Sequence, residues 1–241
     1  MGERFDGLTL GDIVALDYRA AGIFEHFGID FCCGGRRFLA EACAVAAADP
    51  EAVGQALDGL PAYLALDEDV RDWPLGRLVD HIVSTHHQYV RAALPAAARD
   101  LATSIAAQGE RHPELRRVAA LVDELTRELF QHMTKEEQVL FPYVRGLDAD
   151  GDADVARPCP FGTVDNPIRM MEREHVEAGQ VMRTVRDLTS GYRPPSDASP
   201  VYAAALRTLE AFERDLHLHI HLENNILFPR AKERERASWQ N

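Results

Sequence analysis

The feature that most constrains this chain is a stretch that occurs twice. HMTKEEQVLFPYV begins at His132, and HIHLENNILFPRA begins 87 residues later at His219. Aligned without a gap, both read H-x3-E-x4-F-P. His132, Glu136, Phe141 and Pro142 correspond to His219, Glu223, Phe228 and Pro229. Further back, His87 lies 45 residues before His132, and His175 lies 44 residues before His219. The pattern is that of two copies of a helix pair. Each copy gives one lone histidine from its first helix and one H-x3-E pair from its second. Four helices that turn such residues toward a shared interior make a four-helix bundle.

The rest of the chain agrees with helix. Alanine, leucine and long charged residues dominate, and β-branched runs are scarce. Hydrophobic residues make up 46% and charged residues 27%, enough apolar material for a sizeable core. Apolar residues recur at three- and four-residue spacing over residues 74–108, 113–144, 167–189 and 200–236, and each stretch opens at a proline. Proline is well tolerated in a first helical turn. GERHP, the crossover RGLDADGDADVARPCPFGTVDN and SGYRPPSDASP separate these stretches. Shorter helical patterns at 10–27, 38–48 and 50–60 surround the sequence DFCCGG, and LPAYLALDEDVRDWP reads as a linker. The expected organisation is all-α, with a small helical N-terminal domain over 1–62 and a bundle over 72–241.

Residues four apart on a helix are separated by about 40° around the axis and about 6 Å along it. A histidine and a glutamate at that spacing therefore reach one metal cluster. Imidazole supplies a neutral nitrogen to one metal, while a carboxylate has two oxygens and can bridge two. Four histidines, His87, His132, His175 and His219, with two carboxylates, Glu136 and Glu223, suit a pair of irons. Zinc clusters prefer thiolates, and calcium does not choose imidazole. A lone helical histidine is usually a surface or packing residue, and one H-x3-E pair is usually a solvated i,i+4 contact. Matched positions in two halves are what neither explains. His86, one residue from His87, points about 100° away on the helix. His217 and His221 form their own i,i+4 pair on the far face from His219. His81 and His112 read as surface or packing residues, and His26 lies near DFCCGG.

The formal net charge of −13 argues against nucleic acid and anionic membrane as partners, since both require a positive patch. No apolar run approaches the roughly 20 residues of a membrane span. MGERFDGLTLGDIVALD lacks a basic start followed by an apolar stretch, so a cytoplasmic location is expected. The cysteines are Cys32, Cys33, Cys43 and Cys159, and no C-x2-C pair points to a zinc ribbon. Cys43 and Cys159 read as incidental. Adjacent Cys32 and Cys33 cannot easily close on each other. Gly34 and Gly35 allow close approach of this loop to another centre, and Arg36 and Arg37 are expected to favour thiolate. An inert buried pair is the bland alternative to a redox or iron-transfer site.

The motifs GIDFCCGGRRFLAEAC, DHIVSTHHQYVRAALP, ELFQHMTKEEQVLFPYV, NPIRMMEREHVEAGQ and HIHLENNILFPRA resemble the repair of iron centres family, the di-iron proteins of YtfE and ScdA type. The resemblance covers nearly the whole chain. It implies a small ScdA-like N-terminal domain joined to a hemerythrin-like four-helix bundle. Matched motif by motif, the ligands fall on His87, His132, His175 and His219, with Glu136 and Glu223 as bridges. The implied cofactor is two non-haem irons, oxo-bridged when oxidised. The implied role is a stress response: repair of iron–sulfur clusters damaged by nitric oxide or oxidants, through iron donation, nitric oxide reduction or both. Cys32 and Cys33 would be its working thiols. Damaged iron–sulfur proteins are the implied partners, with nitric oxide or dioxygen as small ligand, and a homodimer is left open. The alternative is a hemerythrin-like protein that binds or senses oxygen or nitric oxide. The Cys-Cys domain favours repair, since a carrier has no use for it.

Overall fold

A computed structural model describes residues 5, 7–60, 70–148 and 161–239. Most of the linker, the middle of the long crossover and Cys159 lie outside the described residues. The described residues are helical almost throughout, and their one β feature is an isolated antiparallel bridge between Thr9 and Phe38.

The chain divides into two compact units. One comprises residues 1–79, 147–156 and 217–241, and the other residues 80–146 and 157–216. In the first unit, α1 spans Leu10–Leu16, α2 Arg19–His26, α3 Leu39–Ala46 and α4 Pro50–Asp58. Thr9 and Asp12 cap α1 reciprocally, each side chain bonding the other's backbone N–H. Asp49 caps α4, and Pro50 takes its first position. The single helix expected over 10–27 is two helices. Asp17 adopts an extended conformation, accepts the N–H of Arg19 at 3.1 Å and pairs with the Arg19 guanidinium at 2.7 Å. A short polar side chain that bonds the backbone just ahead competes with helix, and here it wins. Leu10, Ile13, Val14, Phe24, Phe31, Leu39, Cys43 and Leu57 form the core of this unit.

The bundle begins with α5 (Leu75–His81) and α6 (Gln88–Gln108) and continues with α7 (Glu114–Lys135), α8 (Phe141–Gly146), α9 (Asp165–Leu188), α10 (Pro200–His221) and α11 (Phe228–Ser238). These bounds agree closely with the four periodic stretches. What the periodicity does not contain are three π-helical turns, Ile82–His87, Glu136–Leu140 and Leu222–Leu227, which join α5 to α6, α7 to α8 and α10 to α11. Leucine and valine stripes hold the second unit together; α7 alone buries Leu115, Val118, Leu121, Val122, Leu125 and Leu129. Two polar clamps fix its loops. Gln108 donates to the Asp197 carbonyl and accepts the Ser199 N–H. Buried Glu213 receives Arg186 and the Tyr192 hydroxyl.

Candidate metal centre

Three of the four helices turn through a π segment where their ligand-type residues stand. The Phe141 N–H donates to the carbonyl of Glu136, five residues back, and the Phe228 N–H donates to that of Glu223. Pro142 and Pro229 follow at once. A proline inside a helix clashes with the carbonyl four residues before it and offers no N–H. A turn widened by one residue relieves that conflict, and such turns concentrate at functional sites. The Phe-Pro of the repeat was the one sequence signal for this geometry.

In the second unit, His87, His132, Glu136 and His175 are all buried and close on one another. Glu136 Oε1 lies 3.2 Å from His132 Nε2, and Glu136 Oε2 lies 3.4 Å from His87 Nε2. One carboxylate thus addresses a different imidazole with each oxygen. His175 Nε2 is 3.1 Å from His132 Nε2.

The far sides of two rings are held by carboxylates. His87 Nδ1 is 2.6 Å from Glu137 Oε1, which Arg91 also contacts at 3.0 Å. His132 Nδ1 is 2.8 Å from Glu174 Oε2, and Lys135 reaches the other oxygen of Glu174. Burial raises the Glu137 carboxyl, but hydrogen bonds from His87 and Arg91 outweigh it, so the pKa is lowered. The hydrogen bond from His132, opposed by burial and aided by Lys135, brings Glu174 down to about 2. Both acids are therefore anionic acceptors at neutral pH. They hold the imidazole protons on Nδ1 and leave each Nε2 lone pair turned toward Glu136. His132 Nε2, His175 Nε2 and Glu136 Oε1 thus converge as a donor set that could hold a cation.

In the first unit, His219 Nε2 lies 3.1 Å from Glu223 Oε1, one turn along the same helix, and both are buried. The helix from α10 through the third π turn is continuous, and the boundary between the units falls within it.

The Hemerythrin HHE cation binding domain model matches residues 78–231, and the ScdA N-terminal model, described as a domain of unknown function (DUF542), matches residues 7–60. Proteins named iron–sulfur cluster repair protein YtfE match almost end to end. That of Dickeya chrysanthemi is 35% identical over 231 residues, 92% of this chain and 96% of the relative. Those of Enterobacter sp. and Yersinia pestis are 33% and 34% identical, covering 94% and 92% of this chain and 97% and 96% of the relatives. The chain belongs to the YtfE family.

Other histidines of this YtfE-family chain are engaged elsewhere. His86 pairs with Asp215 at 2.9 Å, His112 with Glu114 and Asp197, and His217 with Glu25 at 2.8 Å. His221 is fully buried beside Tyr18 and Phe31, and burial lowers its pKa to about 4 against a raising pull from Asp12.

Cys32 is buried and Cys33 half-buried, both as free thiols. The expectation that Arg36 and Arg37 favour thiolate does not hold for Cys32. Its pKa is raised, first by the hydrogen bond with Cys33, then by burial and by the negative charge of Asp30. Both arginines are exposed, and Arg37 faces Glu41. Cys43 is a buried core residue. Among the described residues, no helix is long and apolar enough to cross a membrane.

Proposed function

We propose that His87, His132, Glu136, His175, His219 and Glu223 hold two non-haem irons, oxo-bridged when oxidised, and that the chain repairs iron–sulfur clusters damaged by nitric oxide or oxidative stress. The carrying observation is Glu136, a buried carboxylate with one oxygen toward His132 and the other toward His87. A buried carboxylate is tolerable only beside positive charge, which cations held by Glu136 and these histidines would supply. His219 and Glu223 repeat the His132–Glu136 pair at the matching position of the second half, which supports assigning them to the same centre. His87, His132, His175 and His219 would supply imidazole nitrogens to the irons, and Glu136 and Glu223 would supply carboxylate oxygens. The donor set of imidazole and carboxylate fits iron.

Bound there, the irons supply a redox-active centre open to nitric oxide or dioxygen and a store of iron for donation. The protein's own work is to fix the ligands. Glu137 and Glu174 lock two rings in the tautomer that presents Nε2 inward, and the buried surroundings limit competing water. Cys32 and Cys33 serve as working thiols for iron transfer or reduction. The two family matches support a domain division at 1–62 and 72–241. The names of the relatives favour damaged iron–sulfur proteins as partners over gas carriage, and favour a cytoplasmic setting where such clients reside.

The test is repair. Iron-loaded protein should restore activity to an iron–sulfur enzyme inactivated by nitric oxide, and the His132→Ala variant should not. Equal recovery with both proteins, or none with either, would overturn the reading.

A further inference from the structure

We propose that Asp30, Cys32 and Cys33 form a second metal site that takes one thiophilic first-row cation. A carboxylate oxygen of Asp30 and the two Sγ atoms all lie within 4.8 Å of one another. The turn is folded for this arrangement by its own backbone. Asp30 Oδ1 accepts the N–H of Cys33 at 2.9 Å and of Gly34 at 3.3 Å, and the Cys32 thiol donates to the same oxygen at 3.4 Å. The carboxylate is thereby folded back over both sulfurs.

The two glycines make this closure possible through space rather than through unusual dihedrals. A Cβ on Gly34 would sit 2.4 Å from the Asp30 carbonyl oxygen, and one on Gly35 would sit 2.3 Å from Asn225 Oδ1. Asn225 braces the turn from behind, donating to the carbonyls of Phe31 and Cys32 at 3.2 Å. It follows Glu223 by two residues on the third π turn. The Phe31 ring packs against Phe24, His217 and His221. The turn is therefore held in place from behind while its thiols and carboxylate converge.

Two soft sulfurs and one oxygen suit Fe2+, Co2+ or Zn2+, and exclude Ca2+ and Mg2+, which require oxygen shells. Three protein ligands leave the fourth position of a tetrahedral ion open to an incoming ligand, as a hand-over station requires. Binding changes no oxidation state: two S–H bonds break, two metal–sulfur bonds form, and two protons pass to solvent. Only the choice of Fe2+ as cargo rests on the repair function proposed above; the site itself rests on the turn.

The test titrates Co2+ into the anaerobic, iron-loaded full chain. Thiolate-to-cobalt absorption should rise to saturation at one ion per chain, with two protons released. Cys32→Ser combined with Cys33→Ser should abolish the band and leave bundle iron unchanged. Asp30→Asn keeps an acceptor for the Cys33 and Gly34 N–H groups but loses the charge. It should weaken cobalt binding by at least the roughly tenfold that even an outer-shell partner costs. Cobalt taken up without a thiolate band, a band that survives the double serine change, or an unaltered Asp30→Asn affinity would each overturn the site. A thiolate band in a protein whose bundle never holds iron would keep this site and sink the repair reading instead.

Discussion

The π turns at Glu136–Leu140 and Leu222–Leu227 are the same device used for two purposes. Each opens at or next to the repeat's carboxylate and closes on a phenylalanine followed by proline. The residue after the carboxylate then decides what the turn serves. In the first half it is Glu137, which grips His87 and fixes its ring. In the second half it is Asn224, followed by Asn225, and these amides reach the carbonyls of Phe31 and Cys32. The first turn holds histidine and carboxylate together, and its counterpart also carries the cysteine loop. A charged acceptor is needed where a histidine must be oriented, and neutral amide donors where backbone carbonyls must be held.

The sharpest way to break this comparison is to remove its common element. Glu136→Ala should strip most of the iron measured by elemental analysis, while His217→Ala, whose ring faces Glu25, should leave it nearly intact. Equal iron loss in both would show that the register of the repeat is misassigned. Stripping the metal should come next in size. If the ion is held about a thousandfold above its dissociation constant, its removal costs about 4 kcal/mol, a shift of several degrees in a melting curve; an apo-protein that melts no earlier contradicts buried bridging carboxylates. Glu137→Gln should weaken iron binding by roughly 10- to 100-fold while leaving the N-terminal unit as stable as before. Gly35→Ala should do the reverse, keeping iron affinity but costing about 1–3 kcal/mol through the collision with Asn225. Iron affinity that falls with Gly35→Ala and not with Glu137→Gln would invert the division of labour. The smallest effect belongs to Gly22→Ala in α2, where an added Cβ meets nothing within 4 Å; it should stabilise by about 0.4–1 kcal/mol in denaturant unfolding.

Much of this is legible in the sequence itself. Long helices are written in apolar periodicity, so their bounds emerged to within a few residues. The inward histidines were marked by repetition, and His87, His132, Glu136 and His175 do converge. The misses are places where a single side chain overrules a pattern. Asp17 breaks a helix at a point where neither glycine nor proline stands. The thiol of Cys32 answers to the adjacent Cys33, to burial and to Asp30, and not to the neighbouring arginines. Glu137 and Glu174 carry no signal in the sequence, since nothing in a linear string says that each faces an imidazole on another helix.

The extra residue in each π turn has one further consequence. Adding a residue to a regular α-helix advances everything beyond it by about 100°, and a turn bonded five residues back takes up that residue and so acts as a vernier on the screw of the helix. Before the third turn, His219 and Glu223 are phased to each other. After it, Phe228, Ala231 and Glu235 are the buried positions of α11. The His219–Glu223 segment and the terminal segment thereby both keep a buried face without a loop between them. Removing one residue from this turn would let it close as an ordinary α turn and leave the last eleven residues of helix in phase.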